Sequence, residues 1–98
     1  MKIIAYHFWS PTCGPCKVIK PSIETLKEEF PQANWVSVNT HEDNNNIVKQ
    51  FGVQVVPTIV VAVYNDEGKL VASEKQSGTN MANYYRILRN GMKFIQQS

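Results

Sequence analysis

A buried strand followed at once by an amphipathic helix restricts the fold of this chain more than any other feature. Residues 3–9 are apolar or aromatic on both faces, which is typical of a central strand. Ser10-Pro11-Thr12 ends this strand, and apolar residues then recur at helical spacing: Ile19, Ile23, Leu26 and Phe30. A second strand is predicted over residues 35–38. It should lie parallel to the first, because the intervening helix allows a right-handed crossover.

The rest of the chain adds a hairpin of two strands and two further helices. The predicted elements are a short helix capped by Asp43 or Asn44 and stopped at Gly52, strands over Thr58–Tyr64 and residues 69–74, and a last helix with Met81, Tyr85, Leu88, Met92 and Ile95 on one stripe. The order β-α-β-α-β-β-α predicts an α/β fold, with helices on both faces of a four-stranded mixed sheet. The length of 98 residues indicates one domain over residues 1–98.

Composition and charge exclude several function classes. The formal net charge of +2 is small and Lys and Arg form no run, so we expect no nucleic-acid partner. No segment reaches the roughly 18 apolar residues of a membrane span, so we expect no membrane partner. Residues 1–5 lead into a strand without the length or cleavage site of a signal peptide, which favours an unprocessed cytoplasmic protein. We also expect a monomer.

Both cysteines lie between the first strand and the first helix, in the segment Cys13-Gly14-Pro15-Cys16. Free backbone N–H groups and aligned peptide dipoles at a helix N-terminus stabilise a thiolate, the species that attacks a disulfide. Cys13 is therefore predicted to be the nucleophile. Cys16 lies one turn later on the same helical face and is predicted to resolve a mixed disulfide on Cys13. Pro15 suits the first helical turn, where its missing N–H removes no hydrogen bond.

A zinc site and a pair of inert buried thiols are weaker interpretations of the two cysteines. A zinc site needs four ligands, and only His7 and His41 remain, without the usual ligand spacing. Inert buried cysteines would not account for a pair placed before a helix in a β/α pattern, which is typical of redox sites. A disulfide over so short a loop would also constrain the unfolded chain only slightly. We therefore expect redox chemistry that uses neither a metal nor another cofactor.

Residues 8–17 resemble the active-site segment of the thioredoxin family, and Cys-Gly-Pro-Cys is the thioredoxin form of its redox motif. Pro21 matches the family's helix proline, and residues 55–58, Val-Val-Pro-Thr, resemble the segment that carries its cis-proline. The resemblance implies a redox disulfide between the two cysteines. It places these residues at the substrate groove: Trp9, Thr12, Gly14, Pro15, Val56, Pro57 and Gly78. Val56 would offer its backbone to a substrate strand.

The chain departs from the family pattern at several points. It begins at what would be the second strand, which implies a compact member without the usual first strand and helix. Thr12 stands where the family has a second tryptophan beside the nucleophile. His7 occupies the position of the family's buried aspartate beneath the resolving cysteine, and Ser37 or Val38 replaces the lysine that pairs with it. His7 is therefore either a general base for Cys16 or a packed neutral side chain.

The resemblance implies a dithiol–disulfide oxidoreductase that reduces protein disulfides. Its electron donor would be a thioredoxin-reductase-like partner, and its substrates would include enzymes such as ribonucleotide reductase. One alternative is a glutaredoxin-like, glutathione-dependent reductase, although the Gly78 region lacks the Gly-Gly-x-Asp pattern that helps to hold glutathione. The other is a non-catalytic interaction subunit with a thioredoxin fold. The identity of the reductant, and a variant lacking both cysteines, would separate these hypotheses.

Overall fold

The computed structural model describes residues 1–96 and contains the predicted elements in the predicted order. The strands are β1 (Lys2–Trp9), β2 (Asn34–Asn39), β3 (Thr58–Tyr64) and β4 (Leu70–Ser77). The helices are α1 (Gly14–Glu29), α2 (Ile47–Gln50) and α3 (Met81–Gln96). The predicted domain runs to Ser98, so its last residues, Gln97 and Ser98, lie outside the described part of the chain.

One mixed sheet forms the centre of the described chain, with the strand order β2-β1-β3-β4. β1 pairs in parallel with β2 and antiparallel with β3, and β3 pairs antiparallel with β4. The predicted α/β class and the four-stranded mixed sheet are thereby confirmed. α1 makes the connection that the parallel pair requires, because parallel neighbours cannot be joined by a tight turn. The segment that follows β1 consequently lies at the carboxyl end of that parallel pair.

Helices cover both faces of the sheet, as predicted. α1 and α3 pack on one face in an apolar cluster that includes Ile23 and Leu88. α2 packs on the other face, in a cluster that includes Tyr6 and Phe8. Each large side chain that is fully buried in these clusters contributes roughly 1.5–3 kcal/mol to stability. Because side chains alternate along a strand, His7 lies on the face covered by α1 and α3.

The N-cap residue of α2 is Asn46, whose side chain makes no capping hydrogen bond, so the prediction of Asp43 or Asn44 at that position was wrong. Asp43 nevertheless supplies hydrogen bonds to the first turn. Asp43 Oδ1 accepts a hydrogen bond from the Ile47 N–H at 3.1 Å, and Oδ2 accepts one from the Val48 N–H at 2.7 Å. These bonds satisfy N–H groups that a helix start leaves without backbone partners.

None of the helices in residues 1–96 is long and apolar enough to cross a membrane.

β4 is longer than predicted, because it begins at Leu70 and extends to Ser77 rather than ending near residue 74. Its additional residues are polar, since β4 is an edge strand and most of its side chains face solvent. A hydrophobic pattern therefore could not reveal them. The extension matters for function, because it brings Ser77 opposite Thr58 at the start of β3.

Candidate active site

Cys13 and Cys16 form a disulfide at the N-terminus of α1, with their Cα atoms 5.3 Å apart. Cys13 is the N-cap residue, and Pro15 lies in the first turn, where proline removes no helical hydrogen bond. The backbone N–H of Cys16 donates to the sulfur of Cys13, with an N–Sγ distance of 3.1 Å. This N–H and the helix dipole both favour negative charge on the Cys13 sulfur.

Burial separates the two cysteines only slightly. Cys13 is 8% exposed and Cys16 is 5% exposed, so the polarity of the helix end distinguishes them more than access does. The neighbours Thr12, Gly14 and Pro15 are exposed and form the surface around Cys13.

A cleft of about 250 Å³ opens beside Cys16, between β1, β2 and α1. Its walls include His7 and Trp9 from β1 and Cys16 from α1. The structure thus brings His7 and Cys16 to one cavity, as the resemblance implied. Trp9 is partly buried, and its Nε1 donates to Ser37 Oγ at 2.7 Å. Ser37, on β2, therefore orients the indole ring. It is one of the two residues that the resemblance placed where the family has a lysine.

His7 is the most unusual polar group of the cleft. It is 8% exposed, and its Nε2 is buried without a hydrogen-bond partner among residues 1–96. Burial is the main cause that lowers the pKa of His7 to about 4, and the charge of Lys27 lowers it further. Glu24 acts in the opposite direction. The imidazole is consequently neutral at pH 7 in the disulfide form.

The second wall of the site comes from the loop before β3 and the loop after β4. The register of the sheet places Thr58 opposite both Phe8 and Ser77, so both loops lie at the sheet end that carries the disulfide. The Val56–Pro57 peptide bond is cis, as the resemblance implied. Val56 is partly exposed, and its N–H and C=O make no hydrogen bond to any residue in the range 1–96.

Gly78 has a φ of 102°, in a region that favours glycine. Its N–H donates to the Pro57 carbonyl oxygen at 3.0 Å, and this bond fixes the spacing between the two loops. The predicted site residues therefore lie on segments at one end of the sheet, with His7 lining the cleft and the partly buried Val56 side chain packed against the cluster on the opposite face.

Sequence reasoning missed the charged side chains of the cleft. Lys20, Glu24 and Lys27 line it together with Cys16, and this spacing of four, four and three residues places them on one face of α1. That spacing was the available signal, although such residues usually form a solvated helix face. Tyr84, whose hydroxyl contacts both loops, gave no signal, because an aromatic residue on a core-facing helix normally serves packing alone.

Residues 1–86 match the family model of thioredoxin, so the chain belongs to the thioredoxin family. A thioredoxin of Haemophilus influenzae is 36% identical over 84 residues, which cover 83% of this chain and 75% of that protein. The solved thioredoxin of Fasciola hepatica has a TM-score of 0.74 and 27% identity, and the match covers 92% of this chain and 81% of the other. The chain carries the Cys13–Cys16 disulfide, and its matches cover 40% of thioredoxin F2 of Arabidopsis thaliana and 54% of a thioredoxin of Porphyra purpurea, about half the length of these curated relatives.

One further solved structure contains thioredoxin f2 in complex with ferredoxin:thioredoxin reductase, and its match has a TM-score of 0.74 at 24% identity. The match covers 93% of this chain and 78% of the other, and at this identity it supports the shared fold alone. Thioredoxin-type proteins thus include members that bind a reductase.

The expected cytoplasmic location is corrected by the comparisons. Thioredoxin F2 of Arabidopsis thaliana, named chloroplastic, is 32% identical over 74 residues, which cover 76% of this chain but 40% of that protein. Further f-type relatives from Arabidopsis thaliana, Brassica napus and Pisum sativum are also named chloroplastic. The cytoplasmic prediction was wrong because it rested on composition and on residues 1–5. Relatives named chloroplastic match the same domain, so neither its composition nor residues 1–5 establish a cytoplasmic location.

Proposed function

We propose that this chain reduces protein disulfides by thiol–disulfide exchange, with Cys13 as the nucleophile and Cys16 as the resolving thiol of the Cys-Gly-Pro-Cys motif. The observation that supports this proposal most directly is the Cys16 N–H, which donates to the Cys13 sulfur at the N-terminus of α1. A donor at that point stabilises a thiolate on Cys13 in the reduced form. The same polarity makes Cys13 the better attacking group at neutral pH.

The first exchange joins Cys13 to the substrate. The Cys13 thiolate attacks one sulfur of the substrate disulfide, a bond forms between them, and the other substrate sulfur leaves as a thiolate. In the second exchange, the Cys16 sulfur attacks Cys13, the mixed disulfide breaks, and the second substrate sulfur leaves. Two electrons have then passed from the dithiol to the substrate, and the Cys13–Cys16 disulfide remains.

His7 is the proposed acceptor of the Cys16 proton during the second exchange. It lines the same cleft as Cys16 and holds Nε2 without a partner among the described residues. A pKa of about 4 in the disulfide form makes the ring a weak base, below the range that suits catalysis at pH 7. As the proton leaves Cys16, negative charge develops on its sulfur in the same cleft as the ring and favours the imidazolium.

Substrate binding is assigned to the exposed rim of the disulfide. Thr12, Gly14 and Pro15 surround Cys13, and Trp9 forms the wall towards the cleft. The N–H and C=O of Val56 suit an extended substrate segment, which would pair with them through main-chain hydrogen bonds. Such pairing recognises the backbone, so it would admit disulfides of different sequence.

The proposed electron donor is a thioredoxin-reductase-like enzyme, and the proposed substrates are protein disulfides such as that of ribonucleotide reductase. A reductase suits this role because it must return two electrons to the Cys13–Cys16 disulfide after each cycle. We propose that the chain acts as a monomer, because each redox and substrate-binding group named above comes from one chain.

Reduction of insulin by dithiothreitol tests the proposed reaction. The wild-type protein should accelerate precipitation of the insulin chains, whereas Cys13→Ser should abolish the acceleration. Reduced Cys16→Ser, mixed with insulin after dithiothreitol has been removed, should instead accumulate a mixed disulfide through Cys13, since no resolving thiol remains. The two serine variants serve as controls for each other because they make the same chemical change one turn apart. Equal trapping by both variants would contradict the assigned order of attack.

Single-turnover kinetics test the role of His7. His7→Ala should slow release of the mixed disulfide by about ten- to a thousandfold, as expected for a lost general base, while attack by Cys13 changes far less. His7→Asp should restore much of the release rate, because a carboxylate can also accept the proton. His41→Ala is the matched control, since His41 is exposed and lies outside the cleft. Unchanged release in His7→Ala would identify His7 as a packing residue.

A further inference from the structure

Tyr84 is the largest fully buried side chain in the described structure. Its hydroxyl nevertheless contacts two main-chain carbonyl oxygens. The hydroxyl donates to the Gly78 carbonyl oxygen and lies 3.3 Å from the Pro57 carbonyl oxygen. Neither carbonyl has a proton to give, so the phenol must be the donor. Burial raises the pKa of Tyr84 to about 12, which keeps this proton in place at neutral pH.

Tyr84 thereby contacts two loops that are also hydrogen-bonded directly to each other. The Pro57 carbonyl also accepts the Gly78 N–H at 3.0 Å. Beside this bond, the hydroxyl oxygens of Thr58 and Ser77 lie 2.6 Å apart. The loop that ends at Pro57 and the loop that contains Gly78 therefore behave as one hydrogen-bonded unit.

Tyr84 belongs to neither loop. It lies on α3, and the neighbouring side chains Ile87 and Leu88 are fully buried in the apolar cluster on that face of the sheet. The hydroxyl therefore ties the two loops to the rigid core rather than only to each other. The aromatic ring packs in the core, and the hydroxyl oxygen makes the hydrogen bonds to the loops. Removing the oxygen alone therefore separates the two contributions.

We propose that Tyr84 is a positioning residue of the substrate groove, whose hydroxyl fixes the Pro57 and Gly78 main chains and thereby the main chain of Val56. The inference rests on the proposed function, in which Val56 pairs with the substrate backbone. The substrate class that depends on Tyr84 is a disulfide carried by an extended polypeptide. A small disulfide without a polypeptide backbone reaches Cys13 without using this pairing.

Tyr84→Phe removes the oxygen and keeps the ring. We expect KM for insulin to rise about three- to tenfold, as for one lost hydrogen bond, with kcat little changed. The rate with bis(hydroxyethyl) disulfide and the reduction potential of Cys13–Cys16 should stay at wild-type values. Tyr85→Phe is the matched control, because Tyr85 is the next residue of α3 and packs on Phe30 rather than on the loops. It should leave both substrates unaffected.

The possible outcomes separate this inference from the proposed function. An unchanged KM for insulin in Tyr84→Phe, or an equal loss with both disulfides, overturns the positioning role. If the wild-type protein fails to reduce insulin, the proposed function fails. Amide exchange at Gly78 then decides the positioning role: faster exchange in Tyr84→Phe supports it and equal exchange overturns it. If Tyr84→Phe does not fold, ortho-fluorotyrosine at position 84 replaces it in the test. The fluorinated phenol is a stronger hydrogen-bond donor, so KM for insulin should fall. An unchanged KM overturns the role.

Discussion

His7 is neutral because the protein surrounds it with apolar atoms and lysines rather than with a well-placed carboxylate. On β1 it is almost fully buried, and on α1 the cleft presents Lys17, Lys20 and Lys27 together with Glu24. Glu24 is more than half exposed and forms an ion pair with Lys27 at 3.2 Å, so solvent and Lys27 screen its charge. The imidazolium therefore gains too little from Glu24 to offset the cost of burial.

This environment predicts a loss of stability in mild acid. The pKa of His7 is about 4 in the folded protein and 6.5 in the ordinary unfolded state, so between these values the unfolded chain binds the additional proton. Stability is thus complete above pH 6.5, falls as the pH drops towards 4, and changes no further through His7 below that. The expected loss is about 3 kcal/mol. Urea unfolding of the disulfide form at several pH values measures it.

His7→Gln should lack this part of the pH dependence, because glutamine does not titrate. His41→Gln should retain it, since His41 is exposed and lies outside the cleft. All three proteins have the same carboxylates, so the difference between the curves isolates His7. Parallel curves for the wild type and His7→Gln would show that the buried imidazole is protonated as easily in the folded state as in the unfolded one.

At the scale of elements, α3 contains a glycine that its packing requires. In the sequence Gly91 is expected to weaken the helix, because glycine costs about 1 kcal/mol relative to alanine in a helix interior. In the structure, a Cβ atom at this position would lie 2.6 Å from Val61 Cγ1 on β3, which is too close for any real contact. The absence of a side chain at residue 91 therefore sets how closely α3 approaches the sheet.

Gly91→Ala should destabilise the protein by about 1–2 kcal/mol, because overpacking against β3 exceeds the gain in helix propensity. Urea unfolding measures the free-energy change. Val61→Ala is the paired control, since it removes the atom that the new methyl group would strike. In the double variant the loss should be smaller than the sum of the single losses. Strict additivity, or a more stable Gly91→Ala protein, would contradict the close approach of α3 to β3.

At the scale of the whole molecule, most of the fold follows from hydrophobic patterns. α1 and α3 show apolar residues at helical spacing, whereas β1 and β3 are buried on both faces and show continuous apolar runs. The end of β4 could not be predicted in this way, because its residues are polar and their pairing with β3 is decided by the register of the sheet. Backbone pairing at an exposed edge leaves little trace in side-chain hydrophobicity.

In the candidate site, too, some residues could be predicted from the sequence and others depend on tertiary packing. The cysteines were predicted from their place before a helix, and Pro57 and Gly78 from the resemblance to the thioredoxin family, so each prediction started from a motif in the sequence. The Tyr84 hydroxyl could not be predicted, since its partners are carbonyls that tertiary packing brings to it from distant segments. Polar contacts made by main-chain acceptors have no sequence signature of their own, because every residue carries a carbonyl.

The two apolar clusters on opposite faces of the sheet also predict that the fold does not depend on its disulfide. Cys13 and Cys16 are three positions apart, and a loop this short contributes about 2 kcal/mol through restriction of the unfolded chain. Truncation of a fully buried side chain, as in Leu88→Ala, should cost about 2–5 kcal/mol. We therefore expect reduction by dithiothreitol to lower the free energy of unfolding by at most about 2 kcal/mol. The circular dichroism of the folded state should not change.

Urea unfolding of the oxidised protein, the reduced protein and the Cys13→Ser, Cys16→Ser double variant measures this contribution. The double variant should resemble the reduced protein, because both lack the cross-link and keep both clusters intact. Leu88→Ala in the oxidised protein serves as the comparison for damage to the core. A reduced chain that unfolds without denaturant would show that the disulfide, and not the apolar clusters, maintains the fold. The proposed function requires the reduced chain to stay folded, because the protein would pass repeatedly between the dithiol and the disulfide. Both redox states would then have to keep the same substrate-binding surface.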